Sequence, residues 1–464
     1  MRLNILLVKP YMPTDEIQPP LGLGYLAGTI RKKHNVEILD CIRLKLNVDG
    51  FKKYLMKKKY DVVGIQAYTF DLDKVDVHSK GVKELYPDAI IFVGGPQPTL
   101  DPIETLNYLK KVDFGFDGEA EAGFPKFVEL ISNGKDKDIK ELEKIPGLIY
   151  RRDNIVVSNP RGLFENLDEL DPSWDLFELE KYPLAPHGAF CKQYPVAPMI
   201  LTRGCPYRCK FCGAPGISGK TPRAHSPEWA VNQIEHLNKK YGIKEIHIED
   251  DNLTVSRGFV KEFCNKLIEK NLGISWTCPN GMRMDTLNDD IVSLMKESGL
   301  YAVSIAIESG SDKIREDMAK DLKTETIIEK VNLLRRHELE IIAFFIVGYP
   351  GETEKDIEDT IKFACSLDLK RATFSAFKPF PGTPVYDELV EMGKMKEIKD
   401  WSRFSLDKIA WTPDGISEKR LKNLRRKAFL KFYLRPKILI KMVGEIKNIE
   451  NFKFISKRIV NWMS

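Results

Sequence analysis

Three cysteines within eight residues constrain this chain more than any other feature. Cys205, Cys209 and Cys212 are spaced C-x3-C-x2-C in the run Arg203-Gly204-Cys205-Pro206-Tyr207-Arg208-Cys209-Lys210-Phe211-Cys212. Gly204 and Pro206 punctuate helix and strand, so the run is expected to be a loop whose thiolates converge on one point. Three thiolates are one short of a closed structural zinc site. They suit a 4Fe–4S cluster gripped through three irons and open at the fourth. A zinc knuckle or a disulfide-bearing loop is the alternative.

The 464 residues leave room for two or three domains. Cys41, Cys191, Cys264, Cys278 and Cys365 are scattered. That favours a reducing, cytoplasmic setting, with Cys278 and Cys365 read as structural thiols and no second cluster expected. No run of eighteen apolar residues is present, so no bilayer span is expected, and the first ten residues read as a strand and not a signal peptide. The net charge of +5 is uneven: residues 417–464 carry 14 Lys and Arg against 3 Glu, leaving a mildly acidic body. Such a tail suggests an anionic partner surface.

Four apolar runs, Asn4–Val8, Val36–Leu39, Val62–Gln66 and Ala89–Val93, alternate with helical patterns at Leu21–Lys33, Phe51–Lys58 and Val75–Leu85. A fifth strand is expected at Phe114–Phe116. This is the pattern of a doubly wound α/β domain over residues 1–135, whose ligand binds beyond the carboxyl ends of its strands. The residues there are Pro10 and Tyr11, Tyr68 and Thr69, Gly94, Gly95, Pro96 and Gln97, and Gly118 and Glu119. A connecting segment with a hairpin around Asp153-Asn154 is expected over 136–195. Strand–helix alternation then resumes over 196–390, from Met199-Ile200-Leu201 through strands ending near Asp251, Cys278, Glu308, Gly348 and Phe377. That implies a partial TIM-type barrel with its chemistry at the carboxyl ends. His247, between Ile246 and Ile248, reads as a satisfied structural histidine.

The cysteine spacing, with Phe211 before the last cysteine, resembles the signature of the radical SAM family. The segments Pro19–Ala27 and Gly94-Gly95-Pro96 resemble the cobalamin-binding domain found upstream of many such cores, and Phe380-Pro381-Gly382-Thr383-Pro384 matches that subgroup. The resemblance covers residues 1 to about 435. It implies a 4Fe–4S cluster on Cys205, Cys209 and Cys212, and S-adenosylmethionine (SAM) as cosubstrate. It implies cobalamin over the strand-end residues named above; a flavodoxin-like domain holding part of the substrate is the alternative. Glu249, Asp250 and Asp251 stand where the family binds the SAM amino group. Arg283 is the candidate for its carboxylate, Glu308 and Ser309 for the ribose, and Gly348 and Tyr349 for the adenine. Asp76-Val77-His78-Ser79-Lys80-Gly81 fits a cobalt-ligand string, but it falls inside a helical pattern, so His78 is expected to be a surface helix histidine.

The implied activity is generation of a 5′-deoxyadenosyl radical, used with cobalamin to methylate an unactivated carbon. Cyclisation, oxidation or carbon–carbon coupling without methyl transfer is the alternative within the family, and a non-catalytic iron–sulfur redox sensor is the alternative outside it. The expected partners are a small-molecule substrate and an electron donor, with no nucleic acid. Residues 391–464 are expected to be helical and basic. Their amphipathic pattern fits either packing on the barrel or a membrane interface with Trp462 as anchor. The Phe432-Tyr433-Leu434-Arg435-Pro436 segment resembles tails of family members that act on lipids or tetrapyrroles, which points to a hydrophobic, lipid-like substrate; on the membrane alternative the basic helices would give peripheral contact with the inner membrane face.

Overall fold

The structure, a computed structural model, describes residues 1–14, 17–183, 191–395, 400–405 and 408–444. Its first sheet contains β1 (Asn4–Lys9), β2 (Asn35–Asp40), β3 (Val62–Gln66), β4 (Ile90–Gly94), β5 (Phe114–Phe116), β6 (Leu148–Arg152) and β7 (Ile155–Ser158), in the order β2-β1-β3-β4-β5-β6-β7. The first five strands run parallel. Strands buried on both faces need apolar side chains throughout, and Ile5, Leu6, Leu7 and Val8 are all buried. Strand order reverses between β1 and β3, which opens a crevice at the carboxyl ends.

The hairpin β6–β7 turns through Asp153 and Asn154, both at positive φ, as a two-residue hairpin loop requires. It does not stand apart in the connecting segment. β6 pairs antiparallel with β5 and extends the first sheet. The rest of the connection is packed tightly. On the helix Leu21–Ile30, a Cβ at Gly24 would lie 2.3 Å from the Pro172 carbonyl oxygen, and one at Gly28 would lie 2.2 Å from that of Asp171. The repeated glycines therefore let the connecting chain lie directly against the helix.

The second sheet contains β8 (Val196–Met199), β11 (Glu245–Ile248), β12 (Ser275–Met282), β13 (Leu300–Glu308), β14 (Glu340–Val347) and β15 (Arg371–Ala376), all parallel and in that order. Two-residue strands β9 (Thr202–Arg203) and β10 (Arg223–Ala224) form a separate antiparallel pair. The strand expected at Met199-Ile200-Leu201 thus ends at Met199. The Leu201 N–H is taken by Asp250 Oδ1 at 2.7 Å instead of a ladder partner. After Glu340, β14 is apolar but alternates in burial. Ile341, Ala343, Phe345 and Val347 pack against the outer helices. Ile342, Phe344 and Ile346 are half-buried: Phe344 approaches Gly281, and Ile346 packs against the cluster of Tyr349 and Phe377.

Two expectations are corrected or resolved here. His78 is not on the surface: it is fully buried, its ring centroid 4.9 Å from that of Phe51 and its Nδ1 2.7 Å from the Lys74 carbonyl oxygen. It sits where the helices Val48–Leu55 and Leu72–Leu85 meet, and its amphipathic position was masked by the polar residues around it. The helix Glu418–Tyr433 packs on the barrel, burying Leu421, Leu424, Ala428, Phe429 and Phe432, with Phe429 against Phe374 of β15. Residues 445–464, including Trp462, lie outside the described residues. Among the described residues no helix is long and apolar enough to cross a membrane.

Candidate active site

The cysteine loop hangs from the β9–β10 pair. Gly204 begins it at φ +95°, and a Cβ there would lie 2.5 Å from the Thr221 carbonyl oxygen. The Cys205 N–H donates to Gly219, that of Cys212 to Cys209, and that of Lys210 to Met318. Burial pushes the Cys212 thiol up to about 12 and raises those of Cys205 and Cys209. Such thiols ionise on binding a metal. The three sulfurs do not all fall within 4.8 Å of one another. One zinc ion would have to draw them together, whereas a cluster offers each thiolate its own iron. The donor set therefore fits a 4Fe–4S cluster.

A cavity of about 260 Å³ lies between the two sheets. Gly94, Gly95, Pro96, Gly118 and Glu119 line one side; Glu249, Asp250 and Asp251 line the other. A Cβ on Gly94 would meet none of the described residues within 4 Å, so the backbone itself lines the cavity. Gly95 (φ +111°) and Gly118 (φ +86°) hold turns that side chains rarely permit. A bare backbone rim at the carboxyl edge of a doubly wound sheet fits a bulky planar ligand such as a corrin. The remaining expected corrinoid contacts are not on this wall. Pro10 is buried and Tyr11 packs on the first domain's core. Tyr68 stacks on Phe70 at 5.2 Å, and Thr69 is buried. Gln97 is turned inward, its Nε2 on Thr105 Oγ1 at 3.2 Å.

The three consecutive carboxylates differ. Asp250 is buried and braces the cluster strand, accepting from the Leu201 N–H and the Thr202 hydroxyl, each at 2.7 Å. Burial pushes its carboxyl up to about 7 against those hydrogen bonds. Glu249 and Asp251 are the more accessible pair on the cavity wall. Arg283 is engaged beside the cluster loop. It meets Asp285 at 2.9 and 3.0 Å and the Lys320 carbonyl oxygen at 2.9 Å, and its guanidinium lies 3.7 Å from the Tyr207 ring centroid and 4.0 Å from Cys209 Sγ.

Glu308 ends β13 at φ +70°, a conformation with a cost of order 1–3 kcal/mol that recurs at functional sites. It is buried with Lys320, their charges 3.0 Å apart. Ser309 is buried and shapes the turn, with its hydroxyl 3.2 Å from Thr360 Oγ1. Gly348 (φ +84°) faces Leu421, which a Cβ would meet at 2.7 Å. The Tyr349 side chain is fully buried in a cluster with Phe377, Val385 and Leu389, so only its backbone is available to a nucleotide.

Sequence reasoning missed the ion-pair network across the cavity. Arg203, next to the cluster loop, lies 2.8 Å from Glu121 and 3.6 Å from Glu119, and its guanidinium sits over the Tyr25 ring. Arg223 grips Glu119 with both terminal nitrogens. Burial alone would raise the Glu119 carboxyl, but Arg223 and Arg203 hold it below the usual range. Glu119 is thus engaged in joining the domains. The available signal was Glu121, two residues beyond Glu119, together with an arginine immediately before Gly-Cys.

A doubly wound sheet and a partial barrel that share one cavity beside three cysteines define a two-cofactor enzyme architecture. Residues 199–364 match the Radical SAM superfamily, and residues 14–128 match the B12 binding domain. An uncharacterized methyltransferase of Pyrococcus horikoshii is 32% identical over 99% of this chain and 97% of its own length. The anaerobic magnesium-protoporphyrin IX monomethyl ester cyclase of Rubrivivax gelatinosus is 27% identical over 89% of this chain and 75% of its own. The radical SAM methyltransferase TsrM from Kitasatospora setae, solved with cobalamin and a 4Fe–4S cluster, has a similar fold, with TM-score 0.70 and 18% identity over 84% of this chain and 78% of that one. The chain belongs to the cobalamin-binding radical SAM enzymes. Its cofactors are a 4Fe–4S cluster, SAM and cobalamin.

Proposed function

We propose that the protein is a C-methyltransferase acting on an unactivated carbon of a small molecule with an apolar portion. The cavity common to both domains carries this reading, because methyl transfer to a carbon radical needs the two cofactors to face one space. When bound, the cluster and SAM supply a 5′-deoxyadenosyl radical and the corrinoid supplies a methyl group. The protein's own residues bind and orient. Cys205, Cys209 and Cys212 hold the cluster. Glu249 or Asp251 pairs the SAM ammonium as a charge-assisted acceptor, while Asp250 keeps their loop against β9. Glu308, with Lys320 behind it, faces the ribose. The glycine rim from Gly94 to Gly118 receives the corrin.

Half-buried Ile342 and Phe344 of β14 support an apolar substrate. Leu434, Leu439 and Ile440, exposed among basic residues near the last described helix, support membrane contact and a lipid-like substrate. An external electron donor would serve the cluster. The cyclase relative favours a second reading, ring closure without methyl transfer.

Anaerobic turnover with SAM, reductant and a cell extract from a strain lacking the protein separates these readings. Methyl transfer yields 5′-deoxyadenosine and S-adenosylhomocysteine together. Deoxyadenosine without S-adenosylhomocysteine, at full corrinoid loading, would replace the methylase by the cyclase-type reading. Cys209→Ala should abolish SAM cleavage with the fold retained.

A further inference from the structure

The base of the barrel holds a second set of metal-binding side chains that the radical chemistry does not use. Glu245 opens β11 and His247 follows on the same strand face, while Cys191 lies just ahead of β8. A Cys191 sulfur, a Glu245 oxygen and a His247 ring nitrogen all lie within 4.8 Å of one another; among the described residues no other trio of His, Cys, Asp or Glu does. Glu245 and His247 are at most 2% exposed. Glu249, at the reactive end of the same strand, is four residues away, roughly 13 Å at the strand rise. We propose that Cys191, Glu245 and His247 bind one divalent cation of the zinc class, which pins the chain entering β8 to the barrel floor.

The donor types point to zinc. Sulfur, imidazole nitrogen and carboxylate oxygen together are its usual ligands, whereas magnesium and calcium take oxygen. Around one tetrahedral zinc, ligand atoms stand roughly 3.2–3.8 Å apart, so small side-chain adjustments bring the three donors together, with a water in the fourth position as in other three-ligand zinc sites. A thiolate, a carboxylate and a neutral imidazole balance a divalent charge, which a buried site requires. The carboxylate is held from outside, as ligating carboxylates generally are. The Tyr301 hydroxyl donates to Glu245 Oε1 at 2.7 Å and the Gln193 N–H donates to Oε2 at 2.7 Å. His247 Nε2 is 2.9 Å from Glu245 Oε1, Cys191 hydrogen-bonds to Glu245 and Arg371 stands near Cys191, so the three side chains already meet at the amino end of the strands, away from the reactive carboxyl ends.

The test uses the full chain with Cys205, Cys209 and Cys212 all replaced by alanine, which removes the cluster loop as a zinc trap. After exposure to zinc and exhaustive dialysis, about one zinc per chain should remain by elemental analysis. Adding Cys191→Ser or His247→Ala should lower it at least tenfold. X-ray absorption on the parent should show one sulfur at about 2.3 Å with nitrogen and oxygen at about 2.0–2.1 Å; this readout does not depend on whether the added variants fold. Retention of no zinc, or a zinc shell without sulfur, would overturn the proposal, as would undiminished zinc in both added variants.

Discussion

Arg203→Met tests whether the charges between the domains are structural. Arg203 is 12% exposed, Glu121 10% and Glu119 8% at their side chains. Methionine keeps most of the apolar stem over Tyr25 and removes the guanidinium. Glu119 retains Arg223, but Glu121 loses its 2.8 Å partner. Breaking one arm of a buried pair costs about 3–5 kcal/mol, most of it from the stranded charge. Urea unfolding of the cofactor-free chain at pH 7.5 should show a loss of about 3–5 kcal/mol, and recovery of most of it in the double variant Arg203→Met/Glu121→Gln. A loss below about 1 kcal/mol, or no recovery on neutralising Glu121, would refute the stranded-charge argument.

Gly94→Leu should leave the unfolding midpoint unchanged within error, because no described residue lies within 4 Å of a Cβ built there. It should cut corrinoid retention at least tenfold, read from the visible spectrum at constant iron content. Asp250→Asn removes a carboxyl whose folded value is about 7, above the unfolded value of about 3.9. Wild-type stability from this group is present below about pH 4 and is lost as pH rises towards 7, so the variant should flatten that slope in urea titrations. Tyr349→Phe removes a buried hydroxyl with no hydrogen-bond partner among the described residues. It should be neutral or stabilising and leave SAM cleavage unchanged, whereas a catalytic loss would place the ring in the nucleotide site.

Backbone-determined features were legible in the sequence. The five parallel strands of the first domain read directly because apolar runs bounded by Gly and Pro have few other uses. The glycines at 94, 95 and 118 read because a strand end without side chains is itself a signal. Side-chain direction was not legible. Glu249, Asp250 and Asp251 are chemically alike in the string, yet Asp250 alone turns under the sheet to hold Leu201 and Thr202. Tyr349 follows a glycine at φ +84°, and that turn sends its ring into the core and not over the cavity. The Arg203–Glu121 pair joins residues 82 apart in sequence, which no local pattern encodes. The helix Glu418–Tyr433 was ambiguous for a further reason: an amphipathic face does not name what it covers, and the answer came from Phe374 and Gly348 on the barrel.

The network at Arg203 explains how two separately folded sheets can present one reaction space. Interfaces between domains usually permit relative motion unless they are large and apolar. Here the strand that carries the cysteine loop is tied on one side to Asp250 of the barrel, and on the other to Glu119 and Glu121 beside the glycine rim. A shift of the first domain would separate Arg203 from its carboxylates in a nearly dry setting, where each stranded charge is costly. Charge pairing therefore sets the spacing between the cysteine loop and the glycine rim. An Arg203→Lys variant, which keeps the charge but loses the planar fork, should keep stability better than Arg203→Met. Because a point charge does not fix orientation, it should also broaden the cluster's electron paramagnetic resonance signal.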